Sequence, residues 1–301
     1  MISDRTLMND LARGSSQLYE LSPEENARLK RILLGMYAEL AALCRENGLT
    51  LLMAGGSALG AVRHKGFIPW DDDLDLMMPR KDYDALVRLL REGALGEKYE
   101  FTLPSKDADT RNLFLKIFLR GSVFSEVIDA AMPFPKGVFL DVFPIENCPG
   151  PSLLSRIRGY VIDAVKLESV CVLFYQYRSE EYRMYMKQNP VAWKRYRMRL
   201  LLGFLGSFMS HRRWACLFDR MAQYDKETGY MTIPSGTKRY WGEMHPTESW
   251  LPASKGEFEG MEVELPHVVD DYLRGMYGNY MEIPPVEKRE RHFVYKVELP
   301  E

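Results

Sequence analysis

The sequence predicts an α+β fold: a mixed sheet of α/β type carrying a functional site, with a helical region inserted behind it. Three observations lead there. Gly55-Gly56-Ser57 forms a glycine-rich turn between a short apolar run and a short helical run. Asp71-Asp72-Asp73-Leu74-Asp75 opens an apolar strand in which acidic and apolar residues alternate. From Pro151 onward the chain turns basic and helical, with few turn signals before Asn189-Pro190.

The elements follow in order. Residues 22–47 read as a helix, because Ser22-Pro23-Glu24-Glu25 combines an N-cap, a proline at the first helical position and a capping-box glutamate. Leu29, Ile32, Leu33, Met36 and Leu40 recur at helical spacing, and Asn47-Gly48 ends the helix. Thr50 to Ala54 is a short apolar strand, followed by a helix from Ser57 to Val62 and a loop from Arg63 to Trp70. Leu74 to Met78 is the carboxylate strand, and Pro79 to Leu90 a helix with Tyr83, Leu86, Val87 and Leu90 on one face. Tyr99 to Leu103, Leu113 to Leu119 and Val138 to Phe143 are further strands. This order places a sheet within residues 1–150, a basic helical insertion at 151–229, and a segment at 230–301, with an amphipathic stretch from Val268 to Met276, that packs back on the core.

At 301 residues, 46% hydrophobic and 27% charged, the chain is long enough for a sizeable core and has a globular composition. The net charge of −2 gives no reason to propose nucleic acid as a partner. Met1 to Glu20 does not read as a signal peptide, and no stretch reads as a membrane span, so a cytoplasmic protein is expected. Cys44, Cys148, Cys171 and Cys216 lack CxxC spacing and read as reduced thiols. Charge is uneven: Pro151 to Arg220 holds thirteen Lys/Arg against five Asp/Glu. Within it, Leu200 to Met209 is strongly apolar and flanked by Lys194, Arg195, Arg197, Arg199, Arg212 and Arg213. Residues 194–213 are therefore either a core helix or an interfacial helix on the inner face of a membrane.

Side chains alternate along a strand, so Asp73 and Asp75 share a face while Leu74, Leu76 and Met78 enter the core. Paired carboxylates repel and lose hydration unless a cation lies between them, and hard oxygen donors suit Mg²⁺ or Mn²⁺. Asp141, a lone acid in the apolar run Val138 to Phe143, is the candidate third ligand, with a strand-end position facing water as the alternative. Gly55 and Gly56 let a phosphate approach the backbone, and the Ser57 hydroxyl and nearby N–H groups can hold its oxygens. Arg63, His64 and Lys65 form a cationic cluster that either holds donor phosphates or belongs to a solvated loop. Lys116 either reaches the nucleotide or pairs with an acid. Asp71 is the favoured proton acceptor, because Asp72 should face away from Asp73 and Asp75.

The Gly55-Gly56-Ser57 turn coupled to an Asp-apolar-Asp strand resembles the signature of the nucleotidyltransferase superfamily that includes DNA polymerase β. The longer run from Gly55 to Asp75, together with Phe139-Leu140-Asp141-Val142-Phe143-Pro144, resembles the LicD family. A looser similarity continues in Phe258-Glu259-Gly260, Tyr277-Gly278-Asn279-Tyr280, Pro284-Pro285 and His292. The resemblance implies a nucleotidyltransferase-like core and a Mg²⁺-dependent phosphotransferase that takes a CDP-alcohol, CDP-choline or CDP-ribitol, and modifies a glycan such as lipopolysaccharide, teichoic acid or a capsule precursor, releasing CMP. It implies Asp73, Asp75 and Asp141 as metal ligands. Two other readings stay open: transfer of NMP with release of pyrophosphate, and a catalytically silent nucleotide-binding protein. A choline pocket would want aromatic faces, for which Trp70, Tyr240, Trp241 and Trp250 are available, although core positions are the more usual place for them. Glu259 either meets the acceptor or stabilises a hairpin. His292, with Arg289 and Arg291, either reaches a substrate or stays on the surface.

Overall fold

The structure, a computed structural model, describes residues 19–105, 110–127, 131–286, 289, 292 and 294–300. Most of Met1 to Glu20, and Arg291, lie outside the described residues.

Helix α1 spans Pro23–Glu46, and its capping box forms as expected: the Ser22 side chain accepts from Glu25 N, and the Glu25 carboxylate accepts from Ser22 N. Leu29, Leu33, Met36, Tyr37, Leu40 and Cys44 form its buried stripe. Strand β1 is only Leu52–Met53, and helix α2 runs Gly55–Arg63, starting two residues earlier than the sequence suggests. Strand β2 (Asp75–Pro79) leads directly into helix α3 (Arg80–Arg91). Strands β3 (Tyr99–Thr102), β4 (Leu115–Leu119) and β5 (Val123–Glu126) follow, then the nine-residue β6 (Phe139–Asn147). Strand β6 runs past Phe143 because its last residues, Glu146 and Asn147, pair with β7 (Tyr230–Thr232), which in turn pairs with β8 (His245–Pro246).

Four helices fill the basic region: α4 (Leu153–Gln176), α5 (Glu180–Lys187), α6 (Pro190–Leu205) and α7 (His211–Ala222). Two short helices, α8 (Arg239–Gly242) and α9 (Thr247–Trp250), precede the hairpin of β9 (Ser254–Phe258) and β10 (Met261–Leu265). Helix α10 (Val269–Tyr277) and strand β11 (Val294–Glu298) end the described chain.

The main sheet has the order β3-β4-β6-β2-β1-β10-β9. It is mixed: β2 with β6 and β1 with β10 are parallel, and the other neighbours are antiparallel. Strands β5 and β11 pair separately. The C-terminal segment thus supplies β9 and β10 to the sheet that holds the acids, and β7 and β8 beside β6. The main core joins α1, α2, α3 and the sheet strands, while the helical region has two smaller clusters, one around Tyr182, Tyr185 and Tyr196, the other around Ile162, Phe218 and Tyr240. A partly buried ion triad fastens the two regions. Arg80, at the start of α3, bonds to Glu146 on β6 and, at 2.9 Å, to Asp219 on α7.

The four cysteines are free, three of them buried. Among the described residues no helix is long and apolar enough to cross a membrane.

Candidate active site

The acids collect where β2 begins beside β6. The parallel register sets Asp75 opposite Asp141, and the antiparallel register of β4 sets Lys116 opposite Asp141 from the other side. Asp141 is buried, and its Oδ1 lies 3.1 Å from the Lys116 Nζ, which also sits 3.1 Å from the centroid of the Phe139 ring. Of the two roles read for Lys116, pairing with an acid is the one observed. Asp141 does not face water.

The glycine turn holds the other carboxylates at close range. Gly55 adopts φ +47, its N–H donates to the buried Tyr272 hydroxyl at 2.9 Å, and a Cβ there would come within 2.7 Å of Asp75 Oδ2. A Cβ on Gly56 would come within 2.6 Å of Asp71 Oδ2. Both glycines are needed for room, and Gly55 also for its backbone conformation. Gly56 does not share the positive φ of Gly55. Ala54 caps α2 without a side-chain bond, so the positive end of the helix faces this acidic cluster.

Asp71 and Asp73 lie side by side, with Asp71 a hydrogen-bond partner of the Asp73 carboxyl. Burial, then the charges of Asp73, Asp72 and Asp75, raise the Asp71 pKa well above its ordinary value. Burial raises Asp73 too, against the pull of His292. Asp141 is raised by burial, which Lys116 opposes and the Asp73 charge reinforces. Lys116 and His292 offset this negative charge only in part, and a divalent cation relieves such a surplus. The donor set therefore fits a hard divalent ion.

Four of the expected site residues sit differently from the sequence reading. Ser57 is buried, and its Oγ accepts from Asp75 N at 2.9 Å: as the third residue of α2 it points at the strand and fixes the acid's backbone rather than presenting itself to a phosphate. Arg63 turns toward the C-terminal segment, where Nη1 donates to Tyr280 O at 2.6 Å and Glu282 O at 3.3 Å. His64 accepts from Arg63 Nε at 3.0 Å, and burial together with that cation lowers its pKa, so it is a neutral imidazole. Lys65 is exposed with φ 59, on the outside of the loop. The Arg63–Lys65 cluster is thus partly committed to holding the fold.

The group of three donor atoms within 4.8 Å of one another, among the described residues, is Asp72, Asp73 and His292 rather than Asp73, Asp75 and Asp141. His292 Nδ1 lies 2.8 Å from Asp72 Oδ1, the His292 N–H donates to the same carboxylate at 3.1 Å, and Nε2 lies 3.9 Å from Asp73 Oδ2. Burial works against its charged form, but Asp72, Glu126 and Asp73 prevail and raise the His292 pKa well above its usual value. The expectation that Asp72 turns away from Asp73 does not hold: the strand starts only at Asp75, so alternation does not govern Asp72 and Asp73, and an oxygen of each lies within 4.8 Å of the other beside His292. Beyond His292, Arg111 pairs with Glu126 at 2.8 Å; despite burial, Arg111, His292 and Lys116 hold Glu126 down at about 2. Arg111, Lys116, Glu126 and Phe139 line a small cleft of about 20 Å³ beside the acids.

Glu259, at φ 51 in the β9–β10 turn, accepts from Phe67 N at 3.0 Å and packs over Gly66, while its own N–H donates to Lys65 O at 2.8 Å. It stabilises the loop before the acids. Of the four candidate aromatics, Tyr240 and Trp250 are core residues and Trp241 packs beside Gly159. Only Trp70 stands near the acids, under the Arg289 guanidinium at 4.2 Å from its ring centroid.

A mixed sheet whose adjacent parallel strands carry facing aspartates, next to the N-terminus of a helix opened by Gly-Gly-Ser, is the arrangement of a nucleotidyltransferase-type domain. Residues 48–126, which hold the turn, the acidic run and Lys116, match the family described as LicD/FKTN/FKRP, nucleotidyltransferase domain. It is 25% identical over 256 residues to the lipopolysaccharide cholinephosphotransferase LicD of Haemophilus influenzae, covering 84% of this chain and 90% of that one. A shorter stretch of 48 residues is 42% identical to an uncharacterised protein of Rickettsia prowazekii, covering 16% of this chain and 18% of that one.

Proposed function

We propose that the protein is a transferase that moves a phospho-alcohol, phosphocholine first among the candidates, from a CDP-activated donor to a hydroxyl of a lipopolysaccharide-type glycan, releasing CMP. The observation that carries this reading is similarity along 84% of the chain to a lipopolysaccharide cholinephosphotransferase, together with the clustering of Asp71, Asp72, Asp73, Asp75 and Asp141 within the fold.

In this reading a sugar hydroxyl forms a new bond to the phosphorus that bears the alcohol, the bond from that phosphorus to the CMP oxygen breaks, and the hydroxyl proton passes to a carboxylate. Asp71 suits that last role, since burial and the neighbouring carboxylates make it a stronger proton acceptor than an ordinary carboxylate. Asp73, Asp75 and Asp141, with Asp72 and His292 beside them, would hold a Mg²⁺ or Mn²⁺ ion, which when bound neutralises pyrophosphate charge and aligns donor with acceptor. The Gly55 N–H is taken by Tyr272, and the N–H groups of Gly56 and Ser57 that follow it at the start of α2 would favour phosphate oxygens. Lys116 balances Asp141 and keeps one cation fixed under the cluster. Ser57 and Tyr272 hold the turn that orients the acids.

The test is turnover of CDP-choline, CDP-ribitol and CDP-glycerol with glycan acceptors and Mg²⁺, read as CMP release. Asp73→Ala and Asp75→Ala are expected to abolish turnover while leaving the folded spectrum intact, and unchanged activity in either removes the proposal. The description of the matched domain as a nucleotidyltransferase keeps a second reading alive, transfer of NMP from an NTP. Pyrophosphate release from CTP, without CMP release from CDP-choline, would select it.

A further inference from the structure

The helical region presents an apolar face that the site does not use. On α4, Leu153, Ile157, Tyr160, Ala164 and Leu167 recur at intervals of three and four and all are exposed, while the opposite side, through Ser155, Gly159, Ile162 and Ser169, is buried against the protein. On α6, Lys194, Arg197, Leu201 and Leu205 share one exposed side by the same spacing. The two helices cross where Gly203 lets α6 approach the Cys171 carbonyl. Between them lies a groove of about 580 Å³, walled by Tyr160, Val161, Leu202, Leu205, Phe208 and Trp214, which makes the two exposed sides one continuous surface. Leu154 at 79% and Phe208 at 80% exposure stand out from it rather than folding back.

Charge selects the occupant. From Asn189 to Arg213 the chain has six Lys/Arg and no Asp or Glu, and exposed Arg156 and Arg213 flank the apolar side chains. The groove wall carries one acid among the described residues, Glu168, whose pKa burial raises, so it opposes an anionic partner weakly. Protruding apolar side chains interleaved with cations are complementary to a bilayer interface, where the hydrocarbon edge takes the first and anionic headgroups the second. No described helix is apolar enough to go through, so contact is at the surface. Of the two sequence readings of residues 194–213, the exposed positions of Leu201, Phe204, Leu205 and Phe208 favour the interfacial one, although Ala192, Tyr196 and Gly203 do enter the protein.

We propose that the face formed by α4, α6 and the turn through Phe208 docks the protein on an anionic membrane surface. The full chain is mixed with phosphatidylglycerol-containing vesicles and with purely zwitterionic ones, and binding is read by co-sedimentation. Binding to the anionic vesicles that weakens as salt rises is the expected result. Phe204→Ser/Phe208→Ser should release the protein, and Lys194→Glu/Arg197→Glu should weaken binding at least about 25-fold, each lost cation being worth about fivefold. Neither double variant touches the acidic site, so turnover on detergent-free soluble substrates should stay at the wild-type level, separating this proposal from that of the reaction. No binding at low salt, or binding that both double variants leave intact, overturns it. So does concentration-dependent dimerisation in sedimentation velocity that Phe204→Ser/Phe208→Ser abolishes, since a second copy would then be the occupant.

Discussion

Replacing Gly56 by alanine separates activity from stability in a direction few active-site changes allow. Gly56 is the second residue of α2 and has an ordinary helical backbone, so alanine carries no conformational penalty there. In a helix the change is intrinsically favourable by about 1 kcal/mol. The new Cβ, however, meets Asp71 Oδ2 at 2.6 Å, where ordinary contact begins near 3.4 Å, so the carboxylate must retreat by about 0.8 Å. That retreat pulls Asp71 from Asp73, its hydrogen-bond partner. A displacement of this size at reacting groups costs on the order of 10²-fold in rate. Gly56→Ala is therefore expected to unfold in urea at a midpoint equal to or above the wild type, while kcat for CMP release falls about a hundredfold. The assays are urea denaturation followed by circular dichroism and a coupled CMP assay on the same preparations. Wild-type kcat in a normally folded Gly56→Ala protein would refute the reasoning, because it would mean that the position of Asp71 relative to Asp73 does not matter to the chemistry.

Arg80→Ala should cost about 3–5 kcal/mol in urea denaturation, because Glu146 is left buried and unpaired; Arg80→Met with Glu146→Leu should recover most of it. Burial raises Glu243 from about 4.5 to about 7, which makes the folded state the better proton binder. Its contribution is full below about pH 4.5 and is lost as pH rises through about 7, a loss of about 3 kcal/mol at 1.36 kcal/mol per unit. Glu243→Gln should flatten the denaturation midpoint between pH 5 and 7, and an unchanged slope would count against this assignment. Glu259→Ala leaves the Phe67 N–H without its acceptor, so exchange of that amide should speed up by at least about tenfold, read by hydrogen-exchange mass spectrometry of the 63–70 segment.

Local chemistry made much of this legible before any coordinates. The Ser22-to-Glu25 capping box located α1 because both of its partners lie within four residues. The alternation around Leu74 identified β2, and the lone acid in an apolar run identified Asp141, because burying a carboxylate demands a partner nearby. Direction was not legible. Ser57 and Arg63 have the right chemistry for phosphate, yet the rotation of α2 and the reach of the C-terminal carbonyls turn both inward. His292 stands out in the sequence, but nothing there joins it to Asp72, since 220 residues separate them. Strands β5 and β11 have no periodicity strong enough to announce them, and the extension of β6 depends on β7, which is remote in sequence.

All five aspartates of the site precede residue 142, yet much of what holds their surroundings comes from the other end of the chain: Glu259 under the loop, Tyr272 on Gly55, Tyr280 and Glu282 on Arg63, His292 on Asp72. A ribosome that has already delivered every acid has therefore not yet supplied these supports. Translation must run nearly to completion before these side chains are clamped, so fragments cut short by degradation or premature stops would carry the signature residues without the contacts that hold them.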